Sequence, residues 1–198
     1  MNAVIYIHGK GGSAVEAEYY ASLFAGYDML GFDYKAAAPW EAKEEFKEYF
    51  RALEGKYDPI TLIANSIGAY YSMCAGIDRF IGKAYFISPV VDMEKLICDM
   101  ISLAGTTEEE LKKKGVVETN FGETLSWEYL SYVRDHPLKW NAPTEILYGG
   151  KDTLTSFETI DRFAKDHGAG LTVMENGEHW FHTEEQMKFL DDWIKNHE

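Results

Sequence analysis

Short apolar runs alternate with amphipathic segments along most of the chain. The apolar runs contain few charged residues, which is typical of strands that are buried on both faces of a parallel sheet. They predict six strands, at residues 4–7, 27–34, 59–64, 83–87, 144–148 and 171–174.

The segments between these runs have the spacing of amphipathic helices. In residues 41–54, for example, Phe46, Tyr49, Phe50 and Leu53 recur at helical spacing with charged residues between them. The same reasoning predicts helices at 15–24, 67–77, 157–167 and 183–197. Strand alternating with helix indicates an α/β fold, a three-layer α/β/α sandwich with a mostly parallel sheet of about six strands. Functional residues in such folds gather beyond the carboxyl ends of the strands.

One long segment, residues 91–143, interrupts this alternation. It contains no convincing strand, and residues 92–103, 107–114 and 125–135 are predicted to be helical. Thr107 followed by Glu110 has the spacing of a capping box. We expect a single domain over residues 1–198, in which 91–143 forms a helical, cap-like insertion over the sheet edge. The alternative is a long excursion with no role in binding.

Composition narrows the class of protein. A chain of 198 residues with 46% hydrophobic residues suits one globular domain. The formal net charge of −14 argues against nucleic acid and anionic membrane surfaces as partners, because both require a basic patch. Cys74 and Cys98 are too few for a disulfide framework.

Residues 1–7 lack the features of a signal peptide and no run is long enough to span a bilayer, so we expect a cytoplasmic protein.

The segment Ala64-Asn65-Ser66-Ile67-Gly68 directly follows the third predicted strand and predicts a serine at a sharp strand-to-helix turn. A serine hydroxyl is a poor nucleophile unless a general base and an orienting acid accompany it. Asp152 follows the fifth predicted strand and His179 follows the sixth. Serine, then acid, then histidine is the chain order of one hydrolase architecture.

Four motifs in this order resemble those of the α/β-hydrolase superfamily. They are His8-Gly9-Lys10-Gly11-Gly12-Ser13, the turn at Ser66, Tyr148-Gly149-Gly150-Lys151-Asp152 and Gly177-Glu178-His179-Trp180-Phe181. The resemblance covers nearly the whole chain and implies a small, minimal member that lacks the first two strands of the family. Ala64 also stands where the family usually has glycine.

The resemblance implies a role for each site residue. Ser66 is the expected nucleophile, His179 the general base and Asp152 the acid that orients the histidine. The backbone N–H groups of Lys10 and Ile67 are the expected oxyanion hole.

Some assignments have alternatives. Asp92 is a competing acid and His182 a competing base, whereas His8 is interpreted as a structural histidine. Several aromatic residues are candidates to line an apolar substrate pocket, although aromatic residues at helical spacing more often belong to the core. These candidates are Trp40, Trp127, Tyr129, Tyr132, Trp140 and Trp180.

The sequence therefore predicts a carboxylesterase-like serine hydrolase that cleaves a small ester or thioester through an acyl-enzyme. It needs no cofactor or metal, and its partner is a small-molecule substrate. The alternatives are cleavage of a C–C bond or a short peptide on the same fold, or a non-catalytic interaction protein. A nucleotide-binding module is disfavoured, because Lys10 does not stand in the Gly-Lys-Ser/Thr order of a phosphate-binding loop.

Overall fold

The computed structural model describes residues 2–198. Within them lie eight strands: β1 (Ala3–Ile7), β2 (Asp28–Phe32), β3 (Ile60–Asn65), β4 (Ile81–Ile87), β5 (Val116–Glu118), β6 (Thr124–Ser126), β7 (Thr144–Gly149) and β8 (Gly170–Met174). Six of them form one sheet in the order β2-β1-β3-β4-β7-β8, and every pairing in that sheet is parallel. This confirms the six strands predicted from the apolar runs.

Eight α-helices lie in the same described residues. They are α1 (Ala17–Tyr20), α2 (Pro39–Leu53), α3 (Ile67–Ala75), α4 (Met93–Leu103), α5 (Glu108–Lys114), α6 (Trp127–Asp135), α7 (Phe157–His167) and α8 (Glu184–His197). The predicted helix at 15–24 is divided, because 3-10 turns at Ala14–Glu16 and Ala21–Leu23 flank a single α-helical turn. Such turns are common at helix ends.

Helices cover both faces of the six-stranded sheet, which confirms the three-layer α/β/α architecture. On one face, apolar side chains of the sheet pack with residues of α1 and α8 into one buried cluster, which includes Tyr6, Tyr20, Ile63, Leu190 and Trp193. Helices α2 and α3 pack against each other, and α3 also contacts β3. The core therefore holds the carboxyl ends of β1, β3, β7 and β8 in place, and the candidate site residues lie just beyond these ends.

The chain divides into two compact units. One comprises the residues up to Val91 together with Lys139–Glu198, and the other comprises Asp92–Leu138. The second unit contains α4, α5 and α6, and its Arg134 donates hydrogen bonds to Glu94 at 2.7 Å and to Glu108 at 2.6 and 2.8 Å. A role for this unit as a cap stays a prediction.

The expectation that residues 91–143 contain no strand is wrong. Strands β5 and β6 pair antiparallel, with Val117 opposite Leu125. The connecting turn is closed by a hydrogen bond from Thr119 N–H to the carbonyl of Glu123, at 2.9 Å. Gly122 has a φ of +83°, which glycine adopts without strain. Two adjacent valines and a turn glycine thus make a short hairpin between helices.

Among the described residues, no helix has both the length and the apolar character needed to cross a membrane.

Candidate active site

Ser66 stands in the turn between β3 and α3 in a conformation that is rare for residues other than glycine. Its φ is +50° and its ψ is −117°. Such backbone strain persists only where neighbouring structure enforces it. Here Ser66 N–H donates to the carbonyl of Ile87 at 3.0 Å, and the Ser66 carbonyl accepts from Val90 N–H at 3.1 Å. The end of β4 and the turn that follows it therefore hold the two peptide groups that flank Ser66.

That turn after β4 was not singled out by sequence reasoning. Ser88, within it, also has a positive φ, of +43°, and its N–H donates to the carbonyl of Leu147 at 2.8 Å. The only signal in the sequence is the Ser88-Pro89 dipeptide at the end of an apolar run, which marks a turn but not its contact with Ser66.

Close backbone contacts place the glycine-rich turn of residues 9–12 beside Ser66. A Cβ atom on Gly68 would lie 2.6 Å from the carbonyl oxygen of His8, so α3 can pack against the end of β1 only with glycine there. A Cβ on Gly9 would lie 3.3 Å from the Ser66 Cβ. The Gly12 N–H donates to the Gly9 carbonyl at 3.1 Å, which closes the turn. Lys10 lies within this turn, and Ile67 is the first residue of α3.

The structure brings Ser66, His179 and Asp152 together although they are far apart in the sequence. Ser66 Oγ lies 2.9 Å from His179 Nε2, and His179 Nδ1 lies 2.7 Å from Asp152 Oδ2. A carboxylate beside Nδ1 favours the tautomer with its proton on that nitrogen, which leaves the Nε2 lone pair directed at the serine hydroxyl. This is the arrangement that activates a serine.

The Asp152 carboxylate is held by its own loop. Its side chain is fully buried, whereas that of His179 is 24% exposed. Oδ1 accepts from the N–H groups of Leu154, at 2.7 Å, and Thr155, at 3.1 Å. One oxygen is thus fixed by backbone donors and the other is free to orient the histidine.

The loops that carry the acid and the histidine pack backbone against backbone. Gly150 N–H donates to the carbonyl of Met174, and Lys151 N–H donates to that of Gly177, both at 2.8 Å. A Cβ on Gly149 would lie 2.5 Å from the carbonyl oxygen of Glu178. Glycines in both loops therefore permit the approach that sets the spacing of Asp152 and His179.

The alternative residues occupy other positions. Asp92 caps α4, where its Oδ1 accepts from Lys95 N–H at 2.9 Å. His182 donates from Nδ1 to the carbonyl of Trp180 at 2.7 Å.

His8 is buried, and its ring stacks on Tyr34 with a centroid separation of 4.3 Å. The Tyr34 hydroxyl donates to the His8 carbonyl at 2.9 Å. These contacts fit the structural role expected for His8.

The four tryptophans differ in their surroundings. Trp140 is buried and donates from Nε1 to Thr144 Oγ1 at 2.7 Å, so it is a core residue. Trp40 is half-buried in α2, and Trp127 is half-buried in α6. Trp180 is 69% exposed beside His179. For these three, the pocket role stays a prediction.

No group of three or more histidine, cysteine or acidic side chains within residues 2–198 is arranged to hold a metal ion.

The chain resembles solved structures closely in fold although its sequence is distant from theirs. Est1E from Butyrivibrio proteoclasticus superposes with a TM-score of 0.74 at 16% identity, over 99% of this chain and 86% of that one. Alpha/beta hydrolase domain-containing protein 10 from mouse has a TM-score of 0.74 at 18% identity, over 98% of this chain and 88% of that one. An esterase from Pyrococcus furiosus has a TM-score of 0.62 at 20% identity, over 98% of this chain and 79% of that one. No protein-family model and no curated protein matches the sequence.

The parallel sheet with helices on both faces and a strained serine turn at its carboxyl edge defines an α/β protein. The chain has the α/β-hydrolase fold, as the four motifs indicated.

Proposed function

We propose that this protein is a serine hydrolase that cleaves a small carboxylic ester or thioester through an acyl-enzyme. The observation that carries the proposal is the chain of contacts from Ser66 Oγ through the His179 imidazole to the Asp152 carboxylate, at 2.9 and 2.7 Å. The strained backbone of Ser66 supports the same conclusion, because such strain is concentrated at functional positions.

The reaction takes place in two steps. In the first, Ser66 Oγ attacks the carbonyl carbon of the ester while His179 Nε2 accepts the serine proton. The carbonyl oxygen becomes an oxyanion, which the N–H groups of Lys10 and Ile67 stabilise. The tetrahedral intermediate collapses when His179 returns the proton to the departing alcohol or thiol, and the acyl group stays on Ser66.

In the second step, water takes the place of the alcohol. The water oxygen attacks the acyl carbon while His179 removes a proton from the water. His179 then returns that proton to Ser66 Oγ as the bond between Ser66 Oγ and the acyl carbon breaks. The carboxylic acid leaves and the enzyme is restored. Asp152 stabilises the imidazolium that forms in each step and does not itself accept a proton.

The test is labelling with a fluorophosphonate probe together with turnover of p-nitrophenyl acetate. Ser66 Oγ attacks the phosphorus of the probe, fluoride leaves, and the serine proton passes to His179, so only an activated serine is labelled. We expect Ser66→Ala to abolish labelling and to lower kcat by about 10⁴- to 10⁶-fold. Ser22→Ala is the matched control, because Ser22 is exposed on the short turn after α1.

Equal labelling of the wild type and Ser66→Ala would show that another residue is the nucleophile. A wild-type protein that neither labels nor hydrolyses the ester would favour the non-catalytic interaction protein. A panel of p-nitrophenyl esters of increasing acyl length then defines the substrate preference of the active protein.

A further inference from the structure

The carboxylate of Glu16 supports the glycine-rich turn that carries Lys10. Glu16 follows this turn in the 3-10 turn Ala14–Glu16, and its Oε1 accepts from Ser13 N–H at 3.0 Å. A Cβ on Gly12 would lie 2.8 Å from the same oxygen, so the carboxylate packs directly against the Gly12 backbone. Glu16 therefore contacts Gly12, the last residue of the turn, and Ser13, the residue that follows it.

The second carboxylate oxygen of Glu16 is anchored in the core. It accepts from the Tyr6 hydroxyl at 2.5 Å. Tyr6 lies in β1 and is only 1% exposed. Hydrogen bonds to a charged acceptor are stronger than neutral ones, and a buried ring in a packed core has little freedom to move. The turn is thereby tied to a fixed point in the sheet.

The surroundings of the Tyr6 hydroxyl favour its protonated form. Burial, and to a smaller extent the neighbouring Tyr20 and the hydrogen bond to Glu16, raise the pKa of Tyr6 above its usual range. The hydroxyl consequently stays protonated and remains a donor to Glu16 under ordinary conditions.

We infer that Glu16 and Tyr6 are positioning residues for the oxyanion hole. Through Glu16 they fix the turn that carries the Lys10 N–H, one of the two expected oxyanion donors. The inference rests on the proposed function, since it assigns these residues to the hydrolysis at Ser66. Hydrogen-bond donors of an oxyanion hole stabilise the transition state strongly and the bound ester only weakly. A misplaced donor therefore lowers kcat and leaves KM nearly unchanged.

The test compares Glu16→Ala with Glu18→Ala, which removes an equal charge from an exposed position in the following helix. We expect Glu16→Ala to lower kcat for p-nitrophenyl acetate by about 10- to 100-fold. KM should change by less than about threefold. Glu18→Ala should match the wild type in both.

A trifluoromethyl ketone inhibitor reports on the oxyanion hole directly. Ser66 Oγ adds to its carbonyl carbon, His179 takes the serine proton, and the oxygen that becomes negative occupies the oxyanion hole. We expect its affinity for Glu16→Ala to weaken by about the same factor as kcat/KM. A role in stability alone would instead lower the melting temperature and leave this affinity intact.

Tyr6→Phe is the second variant, because it keeps the ring in the core and removes only the hydroxyl anchor. It should show the same loss of kcat at unchanged KM, even where Glu16→Ala fails to fold. The inference is wrong if a folded Glu16→Ala or Tyr6→Phe keeps the wild-type kcat and inhibitor affinity. A wild-type protein that the fluorophosphonate does not label would instead contradict the proposed function itself, and the positioning role with it.

Discussion

At the scale of single residues, Asp152 shows how one side chain can serve both the loop and the chemistry. Its Oδ1 is occupied by two backbone donors and its Oδ2 contacts His179 Nδ1. Because the carboxylate is completely buried, it has no water to replace a lost partner. The orientation of His179 therefore depends on the identity of this one residue.

Asp152→Asn is expected to lower kcat by about 10⁴-fold while the protein stays folded. An amide group facing Nδ1 can donate its own proton, which favours the tautomer that carries hydrogen on Nε2 and cannot accept the proton of Ser66. Steady-state kinetics with p-nitrophenyl acetate measures the loss, and Asp166→Asn, at an exposed position in α7, is the control. A kcat close to the wild-type value would show that Asp152 does not set the tautomer.

At the scale of elements, the approach of the β7–α7 loop to the β8–α8 loop sets the site geometry. Gly149→Ala would place a methyl group 2.5 Å from the carbonyl oxygen of Glu178, the residue before His179. The histidine loop must then move, so we expect a loss of stability of about 1–3 kcal/mol and a kcat reduced by at least about tenfold. Urea unfolding and ester turnover measure the two effects.

Asn176→Ala provides the comparison for this prediction. Asn176 lies in the same histidine loop but is exposed, so its truncation should change neither the free energy of unfolding nor kcat appreciably. If Gly149→Ala behaves like Asn176→Ala, the contact between the loops does not control the position of His179.

The elements that sequence reasoning predicted correctly are those with a strong periodic signal. The six strands of the main sheet are continuous apolar runs, and each is ended by a recognisable turn, so the carboxyl ends that carry Ser66, Asp152 and His179 could be found. The hairpin of β5 and β6 escaped prediction because each strand has only three residues, too few to show an alternating pattern between helices.

The contact between Tyr6 and Glu16 could not be predicted for a different reason. Tyr6 lies in an apolar run and Glu16 in an amphipathic segment, so each has an ordinary explanation in its own element. Only the fold shows that the hydroxyl and the carboxylate meet. The same holds for the contacts of Ser66 with the turn after β4, which join elements distant in sequence.

At the scale of the whole molecule, the buried tyrosines of the larger unit bear on stability at high pH. Tyr6, Tyr20 and Tyr34 are all buried, and desolvation is the largest cause that raises the pKa of each hydroxyl above its ordinary value. In the unfolded chain these hydroxyls titrate near pH 10. The folded protein therefore retains protons that the unfolded chain releases above that pH.

Because of this difference, we expect the tyrosines to leave the free energy of unfolding unchanged below about pH 10 and to lower it as the pH rises further. Above that pH, each of the three tyrosines should lower the free energy of unfolding by about 1.4 kcal/mol per pH unit. Together they should lower it by about 4 kcal/mol per pH unit. Urea unfolding at about pH 9 and about pH 11 measures the decline, and ultraviolet absorbance of tyrosinate shows whether ionisation accompanies unfolding. Tyr20→Phe keeps the aromatic ring of this α1 residue and removes one titrating hydroxyl, so it should reduce the slope by about 1.4 kcal/mol per pH unit. A variant with an unchanged slope, or tyrosinate absorbance that rises before the fold is lost, would show that solvent reaches these hydroxyls in the folded state.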